Sequence, residues 1–119
     1  MRKLTETVQS GDWKNEKHVP VIHVNKADGK LDIKVVVGED IPHPNEAEHH
    51  IAWIKVFFQA EDAKFPVEVG SYAFTAHGED GLYSDPAVSA TVKTEKGGVV
   101  YAMSYCNIHG LWENSEEIA

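Results

Sequence analysis

Short runs of alternating apolar and polar residues constrain the fold of this chain more than any other feature. Every second position holds a large apolar residue from Leu31 to Val37, and a large apolar or aromatic residue from Val99 to Tyr105. A period of two is typical of a half-buried β-strand. No stretch as long as an ordinary helix, about 12 residues, has helical periodicity. The sequence therefore predicts an all-β protein.

Six segments that alternate in this way, or are rich in β-branched and aromatic residues, are bounded by turn residues. They are residues 19–24, 31–37, 49–59, 65–75, 86–94 and 99–105. Strands at such spacing indicate an immunoglobulin-like antiparallel β-sandwich of about seven strands, with a small barrel as the alternative. Gly70 is predicted to mark a bulge, and residues 1–15 to form a short helical turn or an irregular arm. At 119 residues, the chain is predicted to be a single domain, residues 1–119.

Composition excludes several classes of function. The formal net charge of −8 argues against nucleic acid or an anionic membrane as a partner. No apolar run approaches the roughly 18 residues of a membrane helix, and no apolar segment follows the charged start as in a signal peptide. A single cysteine cannot form an internal disulfide, which favours a reducing compartment. We therefore expect a cytoplasmic protein that does not bind membranes.

One turn contains that cysteine and a histidine close to it. Cys106 and His109 lie three positions apart, and Gly110 follows directly. A thiolate and an imidazole at this spacing can bind one transition metal from a single tight turn. Two ligands do not complete a metal site, so the rest of the chain must supply the others.

The other candidate imidazoles lie in segments that a sandwich would bring to the same end. His18 precedes the first strand, and His43 and His49 belong to the long loop that enters the central strand. Pro42 and Pro44 flank His43 and favour an extended backbone, which presents its ring at low entropic cost. A lone loop histidine is most often idle and exposed, but the joint pattern favours one metal site.

The remaining histidines have structural interpretations. His23 lies inside a strand and His77 lies before a glycine, so neither is predicted to be a ligand. His50 follows His49, and neighbouring side chains of an extended backbone point to opposite faces. Only one of these two histidines can therefore easily face the metal site.

Two other kinds of metal site compete with this interpretation. A blue-copper-like electron-transfer site uses two histidines, one cysteine and a weak axial methionine. Here Met103 precedes Cys106, and no methionine follows His109. A structural zinc site takes four ligands, which is fewer than the donors available. Both alternatives leave imidazoles unexplained.

Long segments around these donors resemble the superoxide reductases, and more narrowly their one-iron, neelaredoxin-like class. The segments are Glu16-Lys17-His18-Val19-Pro20, Ile41-Pro42-His43-Pro44-Asn45 with Glu48-His49-His50, Thr75-Ala76-His77-Gly78-Glu79, and Ser104-Tyr105-Cys106-Asn107-Ile108-His109-Gly110-Leu111-Trp112. The resemblance extends from Ser10 to Asn114. Two-iron desulfoferrodoxins carry an additional N-terminal module with four cysteines. We do not expect that module in a chain with a single cysteine.

The resemblance implies an iron site and assigns its ligands. It implies one mononuclear non-haem iron in a square pyramid, with four equatorial imidazoles and an axial thiolate. By matching motifs, the imidazoles are His18, His43, His49 and His109, and the thiolate is Cys106. Glu16 is expected to be a further, reversible ligand in the oxidised state only. Lys17 is expected to attract superoxide.

The resemblance also implies an activity and partners. The reaction is the one-electron reduction of superoxide to hydrogen peroxide, without production of dioxygen. An electron donor such as rubredoxin is expected, and homotetramers occur in this class.

Overall fold

The alternating segments form β-strands, and the computed structural model of the chain describes residues 2–119. The strands are β1 (Pro20–Ala27), β2 (Lys30–Val37), β3 (Ile51–Ala60), β4 (Val67–Ala73), β5 (Ala87–Lys93), β6 (Gly98–Cys106) and β7 (Gly110–Ile118). Two short 3-10 turns, at Leu4–Thr7 and Glu79–Gly81, are the helical elements of this part of the chain. No helix within residues 2–119 is long and apolar enough to cross a membrane.

The strands form two antiparallel sheets that enclose the core. One sheet has the order β1-β2-β5 and the other the order β4-β3-β6-β7. Leu31 and Ile33 of the first sheet, and Ile54 and Val56 of the second, are at most 2% exposed. The predicted immunoglobulin-like sandwich is confirmed, and the barrel alternative is wrong because the strands form two separate sheets.

The period of two explains this packing. Along β2 the side chains alternate between exposed and buried from Lys30 to Val35. Burying each of Leu31, Ile33 and Val35 stabilises the fold by roughly 1.5–3 kcal/mol. Because a shift of one residue would expose the whole apolar set, the same pattern also fixes the strand register.

The last strand, β7, is not among the six segments predicted from the sequence. β7 pairs with β6 from Gly98 opposite Ile118 to Cys106 opposite Gly110. It is an edge strand, and most of its residues are polar. Such a composition hides the apolar alternation on which a sequence-based strand assignment depends.

Two details of the predicted strands can be compared directly. β3 begins at Ile51, so His49 and His50 lie in the preceding loop rather than in the strand. The predicted bulge is present in β4, because Val56 pairs with Gly70 whereas Phe57 pairs with Glu68. Val69 is the extra residue between them.

The N-terminal arm follows the edge of the larger sheet. Gln9 forms a parallel bridge with Trp112 of β7. Its N–H donates to the carbonyl of Leu111 at 2.9 Å, and its own carbonyl accepts from the N–H of Glu113 at 2.8 Å. These bonds anchor the arm before the segment that carries Glu16, Lys17 and His18.

Candidate metal centre

The three segments that carry the predicted ligands meet at one end of the sandwich. Because β3 and β6 are antiparallel, the start of β3 lies beside the end of β6, and Ile51 pairs with Cys106. The start of β1 is held nearby, since the Asn114 side-chain amide donates to the Pro20 carbonyl at 2.9 Å. Ser104, which is buried, donates its hydroxyl to the carbonyl of His18 at 3.3 Å.

The β6–β7 hairpin fixes the thiol and one imidazole. Cys106 pairs with Gly110, which leaves a three-residue loop. Gly110 has a φ of 84°, a left-handed conformation that glycine adopts without steric penalty and that ends many three-residue hairpin loops. The N–H of His109 donates to Cys106 Sγ at 3.4 Å, and His109 Nδ1 lies 3.8 Å from the same sulfur.

Four imidazoles form a closed ring beside this sulfur. The ring centroids of His18 and His43 are 4.8 Å apart, and those of His43 and His49 are also 4.8 Å apart. The ring closes through His109, whose centroid is 5.0 Å from that of His49 and 4.8 Å from that of His18. Neighbouring planes are inclined by 58° to 78°. Four mutually inclined rings at these distances could supply several ligands to one ion.

The hydrogen bonds show which ring nitrogens are free. Nδ1 of His18 is bound to Glu16 and Nδ1 of His43 donates to the Pro44 carbonyl, both at 2.6 Å. Nε2 of His43 and Nε2 of His49 are buried without a hydrogen-bond partner within the described part of the chain. A buried polar atom without a partner costs roughly 1–3 kcal/mol. Metal coordination removes that penalty.

The ligand atoms are close enough to share one ion. One donor atom from each of His18, His49, Cys106 and His109 lies within 4.8 Å of the others. His43 is outside this tighter group and joins the site through its contacts with the rings of His18 and His49. Cys106 is fully buried. A soft thiolate together with imidazoles suits a transition metal rather than calcium or magnesium.

The pKa values of three of the imidazoles are lowered, which favours the neutral form that binds metal. Burial lowers the pKa of His43 to about 4, against an ordinary value of 6.5. Burial is also the main cause that lowers the pKa of His18, and the hydrogen bond that His18 donates to Glu16 opposes it. For His49, burial and then the charge of His109 lower the pKa. Metal binding therefore competes with few protons near neutral pH.

Glu16 contacts a predicted ligand directly. Its Oε1 accepts from both the N–H and the Nδ1 of His18, at 3.1 and 2.6 Å. Burial raises the pKa of Glu16, but its bonds to His18 outweigh that effect and lower it overall. A carboxylate in this place fixes the tautomer and orientation of the imidazole.

Lys17 acts on the site through its charge. Its side chain is half-buried and takes part in none of the ion pairs found among residues 2–119. Its positive charge contributes to lowering the pKa of His18, His43 and His49. Lys17 therefore places a positive charge beside the ring of imidazoles.

Comparison with known proteins identifies the family. The family model described as desulfoferrodoxin matches residues 10–115. The chain is 52% identical over 115 residues to the superoxide reductase of Pyrococcus abyssi, an alignment that covers 97% of this chain and 98% of that protein. This chain belongs to the desulfoferrodoxin family of superoxide reductases.

Two further relatives place the chain in the neelaredoxin-like branch. It is 45% identical over 127 residues to the neelaredoxin of Megalodesulfovibrio gigas, with 98% of each protein covered. A solved structure of the superoxide reductase (neelaredoxin) of Archaeoglobus fulgidus in the reduced form superimposes with a TM-score of 0.90 at 50% identity, and covers 95% of this chain and 98% of that one. The family resemblance inferred from the sequence motifs is confirmed.

The family uses iron, and the cluster of histidines and cysteine suits one such ion. The copper and zinc alternatives are not favoured, because a ring of four imidazoles exceeds the two of a blue-copper site and, with the thiol, the four ligands of structural zinc. The remaining three histidines do not belong to the ring. His23 binds Glu39 at 2.8 Å, and His50 stacks on His77 with centroids 3.4 Å apart.

Several supporting residues were not recognised from the sequence. The Trp112 ring stacks on His18 at 4.7 Å, and its Nε1–H donates to the His109 carbonyl at 3.2 Å. Gln9 Nε2 donates to the same carbonyl at 2.7 Å. Trp112 lies within a family motif, which could have marked it. No local signal marks Gln9, because it reaches His109 across a hundred positions of the chain.

Proposed function

We propose that this protein reduces superoxide to hydrogen peroxide. Each superoxide anion takes up one electron and two protons, and no dioxygen is released. The single observation that carries the proposal is the closed ring of four imidazoles beside a buried thiol. It occurs in a chain 52% identical to a superoxide reductase over nearly its full length.

The proposed ligands are those named from the motifs. His18, His43 and His49 would bind iron through Nε2, since the Nδ1 atoms of His18 and His43 are engaged and Nε2 of His43 and His49 is buried and free. His109 would bind through Nδ1, the nitrogen that faces Cys106 Sγ and His18. When bound, iron supplies the electron by cycling between its ferrous and ferric states.

The thiolate of Cys106 is proposed as the axial ligand. When iron is bound, the thiolate would donate electron density to it, as a thiolate does in thiolate-ligated haem. The N–H of His109, 3.4 Å from the sulfur, withdraws part of that electron density. Burial of Cys106 keeps water and oxidants away from the sulfur.

Lys17 is proposed to guide superoxide to the site. The whole chain has a formal charge of −8, which repels a small anion at long range. A half-buried ammonium beside neutral imidazoles creates a local positive potential that attracts the anion at short range, and salt screens this effect. Lys17 is also proposed to help protons reach the site from solvent.

Glu16 is proposed to be a reversible ligand of the oxidised site. In the structure its carboxylate is held by His18, so this role requires those two bonds to break. Its position within a family motif and beside a proposed ligand supports the assignment. By filling the open position after oxidation, Glu16 would keep product and other anions from remaining.

We propose that the protein receives its electron from a donor such as rubredoxin and that it lies in the cytoplasm. We also propose that each chain is a single domain and that four chains form a homotetramer. Ile108 and Ile41 are 58% and 39% exposed near the ligand-bearing segments and offer an apolar surface for the donor. The outer face of the larger sheet carries half-buried aromatic side chains, among them the stacked pair Trp53 and Tyr105. Such a face favours association between copies of the chain.

The experiment that tests the proposed function measures stoichiometry. The reduced protein is mixed with a known amount of superoxide, and hydrogen peroxide and dioxygen are quantified. One peroxide per superoxide without dioxygen supports the proposal. One dioxygen for every peroxide indicates dismutation and contradicts it.

A further inference from the structure

We propose that Asn107 is a positioning residue that holds His49 in register with Cys106. Its side chain brackets His49 on both sides. The Oδ1 atom of Asn107 accepts from the N–H of His50 at 2.9 Å, and its Nδ2 donates to the carbonyl of Glu48 at 3.1 Å. The backbone N–H of Asn107 donates to the carbonyl of His50 at 3.2 Å. Three bonds from one residue thus join the turn after Cys106 to the loop that carries His49.

The sheet itself does not fix His49. β3 begins at Ile51, and its pairing with β6 is irregular between Ile51 and Trp53. Within residues 2–119, the backbone bonds made by His49 itself join it to Glu46, at 2.9 and 3.2 Å. They close the loop on itself without tying it to the hairpin. Asn107 therefore joins the His49 loop to the turn after Cys106, as regular backbone pairing of β3 and β6 would otherwise do.

The position of Asn107 argues for a positioning role rather than a packing role. Asn107 is exposed, so it fills no part of the core. It directly follows Cys106, so a movement of the hairpin is transmitted to the His49 loop through its amide. If the loop moved away, Nε2 of His49, which is buried and free of hydrogen bonds among residues 2–119, would leave the metal position.

This inference rests on the proposed metal site, and it can be tested by metal binding without any measurement of turnover. Full-length apoprotein is titrated with Co²⁺, whose visible bands report coordination by the thiolate. Removal of an outer partner of a metal ligand typically weakens metal binding by 10- to 100-fold. We expect a loss of about that size for Asn107→Ala. Gln59→Ala is the matched control, because Gln59 also donates to a backbone carbonyl, that of Ala63, at the other end of β3.

A double-mutant cycle separates positioning from a general loss of structure. The same titration is carried out in a His49→Ala background, where the remaining ligands still bind Co²⁺. If Asn107 acts through His49, adding Asn107→Ala to this background changes the affinity by less than about twofold. A loss that persists undiminished overturns the proposal, and so does an affinity for Asn107→Ala equal to that of the Gln59→Ala control.

Two further outcomes are decisive. If Asn107→Ala does not fold, Asn107→Asp replaces it, because this variant keeps the acceptor for His50 and removes the donor to Glu48. We then expect a loss of about tenfold, and an unchanged affinity contradicts the proposal. A wild-type chain that takes up no Co²⁺ overturns the metal site itself and this inference with it, whereas normal wild-type binding with unaffected variants overturns the inference alone.

Discussion

The two ends of the sandwich close in different ways. At the end away from the histidines, β1 and β2 are joined by a tight turn at Asp28 and Gly29, whose φ angles are 53° and 72°. An ion pair between Lys96 and Asp62, at 2.9 Å, lies in solvent there. At the other end, longer segments bring imidazoles together, and Nε2 of His43 and of His49 is buried without a partner within residues 2–119.

The turn end of the sandwich therefore stabilises the fold, whereas the ligand end holds the residues proposed to bind the metal. Positive φ angles at both central residues suit a two-residue hairpin, and such a turn satisfies its own backbone. The ligand end instead depends on bonds between segments far apart in the chain, such as those from Ser104 to His18 and from Asn107 to Glu48. Changes at the ligand end should therefore alter metal chemistry, and changes at the other end should not.

Removing the thiol should have the largest effect. Cys106→Ser leaves the ring of imidazoles but removes the soft anionic ligand. We expect the thiolate-to-iron charge-transfer band of the oxidised protein to disappear, and reduction of superoxide to slow by at least about 100-fold, since loss of a ligand exceeds loss of an outer partner. Visible absorption and stopped-flow kinetics measure both. A retained band would show that Cys106 is not the axial ligand.

Metal removal should make the protein sensitive to acid. His43 has a pKa of about 4 when folded against 6.5 ordinarily, so between these values the unfolded chain binds more protons than the folded one. The folded state of the apoprotein is therefore stabilised above pH 6.5 and loses that stability as the pH falls towards 4. The pKa values of His18 and His49 are lowered in the same direction.

Thermal unfolding of the apoprotein and of the iron-loaded protein across this range tests the prediction. Bound metal stabilises the folded state by mass action, so the loaded protein should melt at higher temperature throughout. If the two forms melt together at every pH, the histidines do not hold the metal.

Loss of the positive charge beside the ring should reduce the rate of encounter with superoxide. Lys17→Ala should slow the second-order reaction by about tenfold, at the low end of the range for electrostatic steering. The dependence on ionic strength should flatten as well. Lys14→Ala is the control, because Lys14 lies on the same arm and its ammonium is 5.6 Å from the ring of Trp13. Equal rates for the two variants would remove the role assigned to Lys17.

Glu16→Ala should have a smaller effect on turnover. The ferric site should bind azide or cyanide faster than in the wild type. The reaction of the reduced protein with superoxide should slow by less than in Lys17→Ala, because Glu16 is proposed to bind iron only after oxidation. Rapid-mixing absorption measurements report the anion binding. If azide binds no faster to the variant than to the wild type, Glu16 does not occupy the open position.

Asp62→Asn at the opposite end should have the smallest effect. The hydrogen bond from Lys96 lowers the pKa of Asp62, so this exposed pair stabilises the fold above the ordinary pKa and loses its effect as the pH falls through the lowered one. Such pairs contribute little. We expect an unchanged charge-transfer band and a melting temperature equal to that of the wild type. A changed spectrum would show that the two ends are coupled.

Most of the fold could be predicted because the core strands carry their own signal. Leu31, Ile33 and Val35 alternate with polar residues, and the same side chains form the buried face of β2. β7 could not be predicted in this way, since an edge strand with one solvated face tolerates residues such as Glu113 and Glu117. Its pairing with β6, in which Cys106 lies opposite Gly110, is known only from the structure.

The site shows the same division. Motifs named the residues that the structure brings into one ring, because metal donors are chemically distinctive and their flanks are restricted. The contacts of Gln9, Trp112 and Asn107 could not be predicted. Each depends on the register of a hairpin or on a bond between distant segments, and an amide or an indole has many other uses in a protein.

The most direct test is metal analysis of the oxidised full-length protein together with its visible spectrum. Four imidazoles and one thiolate around a single ion predict one iron per chain and a thiolate-to-iron charge-transfer band. The band should vanish in Cys106→Ser and persist in Asp62→Asn. Copper or zinc as the only bound metal, or iron without that band, would contradict the account.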